Sequence, residues 1–142
     1  MYTYKRIVHY HETDKMGITH HSNYVKWMEE ARLSLLDSIG LSFRNMEDEG
    51  IMSPVVSIDV KYKSPSTYSD IIEIDITIGK YTGAQIFFNY NMRNTSTGNV
   101  SAVASSRHCF VKDGQVCSLS HAAPNYDKML RDIIEENKTI SS

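Results

Sequence analysis

YHETDKMGITHHSNYVKWMEEAR, the run from Tyr10 to Arg32, sets an acid, a glycine and two adjacent histidines directly ahead of a helix. From Ser22 or Asn23 to Ile39, apolar or small residues recur at Tyr24, Met28, Ala31, Leu35 and Ile39. Steps of three and four mark one face of an α-helix, and Lys26, Glu29, Glu30, Arg32 and Asp37 fall largely elsewhere. Ser22 or Asn23 can cap this helix and Gly40 can close it. A helix with one apolar stripe needs a surface to cover, so the flanking chain decides the architecture.

Working outward, Tyr2 to His11 is rich in aromatic and β-branched residues and reads as a strand. Leu41 to Glu49 has room for a short second helix before Gly50. Ile51 to Ser64 reads as a strand with Val56, Ile58, Val60 and Tyr62 on one face; Pro54 makes its start irregular and Pro65 ends it. Ile72, Ile74, Ile76 and Ile78 alternate with Glu73, Asp75 and Thr77, the pattern of a half-buried strand. A turn over Gly79 to Gly83 leads into Ala84 to Asn94, where Ile86, Phe88, Tyr90 and Met92 alternate with polar residues. Val100 to Val111 is a further strand with many small side chains. Asp113-Gly114 is a two-residue hairpin turn into Gln115 to Leu119, and a C-terminal helix is expected over 124–138, opened by Pro124. Consecutive strands with short connections and no alternating βα units specify an α+β layer fold, an antiparallel sheet with one face under the helix. The other sheet face and the exposed edges favour an oligomer.

The chain has 142 residues, which suits a single domain. Its 15 Lys and Arg against 17 Asp and Glu leave a formal charge of −2, so no nucleic-acid or anionic-membrane footprint is expected. No apolar run reaches the roughly 20 residues of a membrane span, and Met1 to Arg6 lacks a signal-peptide core, which points to the cytoplasm. Across the Asp113-Gly114 hairpin Cys109 faces Ser118 and Cys117 faces Phe110. The two sulfurs are then on opposite faces of the sheet, and no disulfide is expected. No CxxC or HExxH spacing suggests a metal.

Several features of the opening run coincide: Asp14 after Thr13, Gly17 three positions on, His21, Asn23-Tyr24, then an aromatic residue and an acid on the helix. Together they resemble the signature of the hotdog-fold acyl-CoA thioesterases of the 4-hydroxybenzoyl-CoA thioesterase family. VKYKSPSTYSDIIEI, Val60 to Ile74, is similar to that family's central strands, and the likeness extends over about residues 4–119. The resemblance implies a curved antiparallel sheet wrapped around one long α-helix. It also implies homodimers, or tetramers built as dimers of dimers, whose sites lie between subunits. The substrate would be an acyl-CoA or an acyl-carrier-protein thioester, with coenzyme A entering as part of the substrate and no separate cofactor. A non-catalytic acyl-CoA-binding module on the same fold is the alternative.

Hydrolysis of a thioester requires a nucleophile or base and a stabilised oxyanion. The resemblance gives Asp14 the first role, as nucleophile or as base for water; the competing reading is that Asp14 only holds the turn before Gly17. Gly17 lets the backbone pass close to a substrate, and the helix beyond it offers unpaired N–H groups at the positive end of its dipole. By resemblance the oxyanion donor is an amide near His21, whose ring orients the thioester or its water. His20 has no such analogy and reads as a polar side chain turned to solvent or to an interface near the helix start. Glu12 would raise the Asp14 pKa if both faced one cleft, but alternation equally sets both toward solvent, and spacing gives it no role. Glu29 is expected to pair with Arg32. Tyr24 and Trp27 fit core or interface, with Tyr24 also a substrate contact. Lys61, Lys63, Arg93 and Arg107 are the candidates for the phosphates of coenzyme A.

Overall fold

The two most regular strands set the frame, β4 (Ile71–Tyr81) and β5 (Gln85–Asn94). They pair antiparallel with Ile74 opposite Met92 and Ile76 opposite Tyr90, so that Ile72, Ile74, Ile76, Phe88, Tyr90 and Met92 share one buried face. The computed structural model describes residues 1–141, and the side chains of residues 1–137. β1 (Tyr2–Ile7) pairs along the free side of β4, and β6 (Asn99–Lys112) along the free side of β5. The far side of β6 receives β3 (Val55–Tyr62), while the short β2 (Ile51–Met52) and β7 (Gln115–Cys117) pair with its last residues. Every pairing is antiparallel.

The helix α1 (Ser22–Ser38) covers the buried face, contributing Tyr24, Trp27, Met28, Ala31 and Leu35 to a core shared with β4, β5 and β6. This is the expected α+β arrangement, a hotdog fold with an antiparallel sheet about one long helix. Gly40, at φ +86°, ends α1. Its N–H reaches Asp37 O at 3.3 Å and the Leu41 N–H reaches Leu36 O at 2.8 Å, a Schellman closure with Leu41 buried beneath it. The short α2 (Phe43–Asp48) is capped by Ser42, whose side chain accepts the Asn45 N–H. A single turn, α3 (Leu119–Ala122), precedes α4 (Pro124–Ser141), which runs past residue 138 and sets Leu130 into the core. Among the described residues no helix is long and apolar enough to cross a membrane.

Four local expectations are corrected. β1 stops at Ile7, because the Val8 N–H turns aside to Asp70 O and a 3-10 turn occupies Tyr10–Glu12. The strand expected over Ile51 to Ser64 is split into β2 and β3 around Ser53-Pro54, where proline cannot donate to the ladder. β4 continues through Gly79 to Tyr81 with a bulge at that glycine, where a Cβ would lie 2.5 Å from Asn89 Nδ2. Neither Ser22 nor Asn23 caps α1: the cap position is His21, and it makes no side-chain cap bond. The terminal hairpin follows its expected register, Phe110 opposite Cys117, with both cysteines free.

Candidate active site

Between the 3-10 turn and α1 the chain folds into a tight loop closed by a Thr13–Thr19 bridge. The Asp14 N–H donates to Ile18 O at 2.9 Å and the Gly17 N–H to Asp14 O at 3.0 Å. The reversal needs a left-handed residue, and Gly17 supplies it at φ +78°. A Cβ there would meet nothing within 4 Å, so the glycine also leaves the loop surface bare. Asp14 divides its carboxylate between two tasks. Oδ1 accepts the Met16 N–H at 2.8 Å, and Oδ2 has no hydrogen-bond partner among the described residues.

Two anchors hold this loop. On one side the Thr19 hydroxyl meets Ser66 Oγ at 2.6 Å, and Ile18 bridges Thr67. On the other stands Glu12, which is buried. Its carboxylate accepts from Arg6 Nη2 at 2.6 Å, the His9 N–H at 2.8 Å and Trp27 Nε1 at 2.8 Å. Burial alone pushes the Glu12 pKa up, but the His9 N–H, the Trp27 indole and the Arg6 cation together outweigh it and hold the carboxyl below its ordinary value. The carbonyl of the same residue accepts the His20 N–H at 2.8 Å and Asn23 Nδ2 at 2.9 Å. Arg6 also grips Glu30 and lies 4.7 Å from the centre of the Trp27 ring. Glu12 therefore faces inward while Asp14 faces out, and the two carboxylates do not share a cleft.

Asp14 opens onto a surface pocket of about 640 Å³ that His20, Ser22, Asn23 and Lys26 also line. His20 Nδ1 is bonded to Ser22 Oγ at 2.8 Å. The His21 ring stands edge-on to Tyr62, with centroids 6.2 Å apart, and Tyr62 OH donates to His21 O at 3.3 Å. At the entrance to α1 the amides are spoken for except one. His20 N–H goes to Glu12 O, Ser22 N–H to His20 Nδ1, Asn23 N–H to His20 O and Tyr24 N–H to His21 O. The His21 N–H has no acceptor among the described residues. Tyr24 lies buried behind this entrance, its hydroxyl 3.0 Å from Ser66 Oγ and its ring 5.3 Å from that of Tyr62. Burial, the largest influence, raises the Tyr24 pKa.

The basic candidates lie elsewhere. Lys61, Arg93 and Arg107 alternate with the core-facing residues of β3, β5 and β6, which turns them to the sheet face away from α1. Arg93 is paired with Asp75 at 2.7 Å and Glu73 at 3.2 Å. Lys63 follows the end of β3, where its N–H bonds Ser101 O and the chain runs on to the Ser66 anchor. Glu29 and Arg32 do not form the expected ion pair: Arg32 Nη1 donates to Tyr90 OH at 3.2 Å, and a buried chain continues through Ser106 to His108 Nε2. Both residues instead border an apolar cavity of about 200 Å³ between α1, α2 and the sheet. Among the described residues no group of three or more His, Cys, Asp or Glu is placed to hold a metal ion. Spacing missed the Glu12 hub. The available signal was Arg6, which follows Tyr2 and Tyr4 on the core-facing side of β1, where a buried guanidinium needs an acid.

A family profile described as the thioesterase-like superfamily matches residues 8–132. A Bacillus subtilis (strain 168) protein named "Putative acyl-CoA thioesterase YneP" is 38% identical over 104 residues, covering 73% of this chain and 75% of that protein. A DHNA-CoA thioesterase from Staphylococcus aureus superposes with a TM-score of 0.90 at 27% identity, covering 96% of this chain and 93% of that one. A hypothetical protein from Aquifex aeolicus superposes at 0.80 with 33% identity, covering 84% of this chain and 93% of that one.

Proposed function

The chain belongs to the thioesterase-like superfamily, and from that membership we propose that it hydrolyses an acyl-CoA thioester to the free acid and CoA with Asp14 at the reacting carbonyl. One observation carries the reading. At the entrance to α1, Asp14, with one carboxylate oxygen lacking a protein partner, lines the same pocket as His20, Ser22 and Asn23, the residues that flank the unbonded His21 N–H in the chain.

Acting as base, Asp14 takes a proton from water and the resulting hydroxide adds to the carbonyl carbon. The oxyanion accepts the His21 N–H, the C–S bond breaks, and the thiolate receives the proton from Asp14. Acting as nucleophile, Asp14 Oδ2 adds to the carbonyl itself and expels the thiolate, leaving a mixed anhydride that water opens. Either course draws on the same amide, a kind of donor typically worth about 3 kcal/mol of the barrier. Gly17 keeps the approach free of side chains, and the His21 ring, braced by Tyr62, orients the thioester or water. Tyr24 acts from behind by backing Tyr62.

Coenzyme A enters as part of the substrate and no separate cofactor is needed. Its phosphates are assigned to Lys61 and Lys63, which are exposed and make no salt bridge among the described residues. Arg107 is a weaker candidate because it is half-buried, and Arg93 because Asp75 and Glu73 already balance its charge. The working unit is a homodimer, since the free edge of β3 exposes Val56, Ile58 and Tyr62 next to the site.

The test is release of free thiol from a panel of aromatic and aliphatic acyl-CoAs and an acyl-carrier-protein thioester, with Asp14→Asn as control. Asparagine keeps an oxygen for the Met16 N–H and so preserves the loop. The expected loss in kcat is about 100-fold or more. Equal activity of the two proteins refutes the assignment of Asp14, and activity confined to the carrier-protein thioester reassigns the substrate.

A further inference from the structure

Glu12 collects three donors from three different elements. Arg6 comes from β1, the His9 N–H from the head of the 3-10 turn and the Trp27 indole from the second turn of α1. Its own carbonyl then receives the His20 N–H and the Asn23 amide, on either side of the His21 amide. One residue is thus tied through its side chain to the interior of α1 and through its backbone to the entrance of α1. Asp14 follows it by two positions. The other anchor, Thr19 on Ser66, enters beyond Gly17 and reaches Asp14 across the loop, through the Thr13–Thr19 bridge and the Asp14 N–H bond to Ile18 O, whereas Glu12 holds the limb that carries Asp14 from its own side.

We infer that Glu12 is a positioning residue for thioester hydrolysis, fixing the Asp14 carboxylate and the His21 N–H in one geometry through its contacts with Arg6, Trp27, His20 and Asn23. This rests on the reading of Asp14 and the His21 amide given above. The anionic form is required, because all three groups around the carboxylate are donors and a neutral acid or amide would turn a donor of its own toward one of them. The arrangement commits both Glu12 oxygens to protein groups, so Glu12 cannot serve as a second base; it acts through Asp14. A displacement of the order of 1 Å in a reacting group costs up to about 100-fold in rate, which is the scale on which losing the clamp should register.

The decisive variant is Glu12→Gln, equal in size and lacking the charge. It is compared with wild type for kcat, KM, thermal unfolding and the indole N–H proton resonance of Trp27, which is unambiguous because the chain has one tryptophan. The expected result is a fall in kcat of about 10- to 100-fold with KM changed by less than about twofold, together with a displaced indole resonance in a protein that still melts cooperatively. Unchanged kcat, or a rise in KM alone, overturns the proposal. If Glu12→Gln does not fold, Arg6→Lys decides, since it retains a positive charge but cannot hold Glu12 and Glu30 together. The same kcat-selective loss supports the proposal there, and wild-type kcat overturns it. The Asp14→Asn control separates the two failures. If Asp14→Asn is fully active, the underlying reading is wrong; if it is inactive while Glu12→Gln turns over normally, only the positioning role is wrong.

Discussion

His108 is fully buried, with Nε2 bonded to Ser106 Oγ at 2.8 Å and Nδ1 without a hydrogen bond at bonding distance. Burial, reinforced by the Arg32 cation and only partly opposed by the Ser53 backbone, lowers its pKa from 6.5 to about 4. The sign follows directly. Below 6.5 the unfolded chain takes up a proton that the folded protein refuses until about 4, so the stability tied to neutral His108 is complete above 6.5 and disappears as pH falls through that window. The full effect is about 3 kcal/mol, of which about 2 kcal/mol should be gone by about pH 5. Urea unfolding near neutrality and near pH 5 should show this loss in wild type and a much flatter response in His108→Gln. An equal pH response in both proteins would remove His108 as its source. At this scale the turn from Asp14 to Gly17 was legible, because a turn residue three positions from a glycine has a local signature. Glu12 was not, since its partners Arg6, Trp27 and the His20 amide lie on separate elements and leave no period in the sequence.

The element that positions the site is α1, and its two ends are secured by different means. The C-terminal end closes on the backbone bonds around Gly40, joined by the Ser38 hydroxyl, which donates to Leu35 O at 2.6 Å. Gly40→Ala forces an L residue into a left-handed conformation and sets a Cβ 3.0 Å from Met129 Cε, the flexible tip of a side chain that can move aside. The expected cost is therefore the backbone penalty, about 1 to 2 kcal/mol, seen as a thermal midpoint lowered by several degrees with KM unaltered. A midpoint equal to wild type would show that the closure contributes nothing. The N-terminal end has no side-chain cap and depends on Glu12 and Asn23. Amphipathic periodicity located α1, β4 and β5 because each is buried on one side only, and Asp113-Gly114 located the last hairpin. The end of β1 was not readable, because the contact that ends it, Val8 N–H to Asp70 O, joins residues far apart in sequence.

For the molecule as a whole, β3 is the exposed boundary. Val56, Ile58 and Tyr62 are 43%, 39% and 49% accessible although they alternate as core residues do. Such an apolar edge beside the candidate site is expected to be covered by a second copy. Light scattering on the purified protein should therefore give a dimer or a multiple of one. Ile58→Lys should shift the population to monomer and lower thioesterase activity by about tenfold or more. A wild-type monomer with full activity would reject this assembly. Alternation in the sequence marked these side chains as apolar on one face, but it could not say that α1 falls short of them, because helix placement is set by the entire core. The His21 amide has a consequence of a different kind. A backbone N–H without an acceptor trades its hydrogen with solvent deuterium nearly as freely as in an open chain, whereas the doubly flanked β6 holds its own for far longer. The proposed oxyanion donor thus comes with its own isotopic clock, one that should slow when a ligand oxygen occupies it.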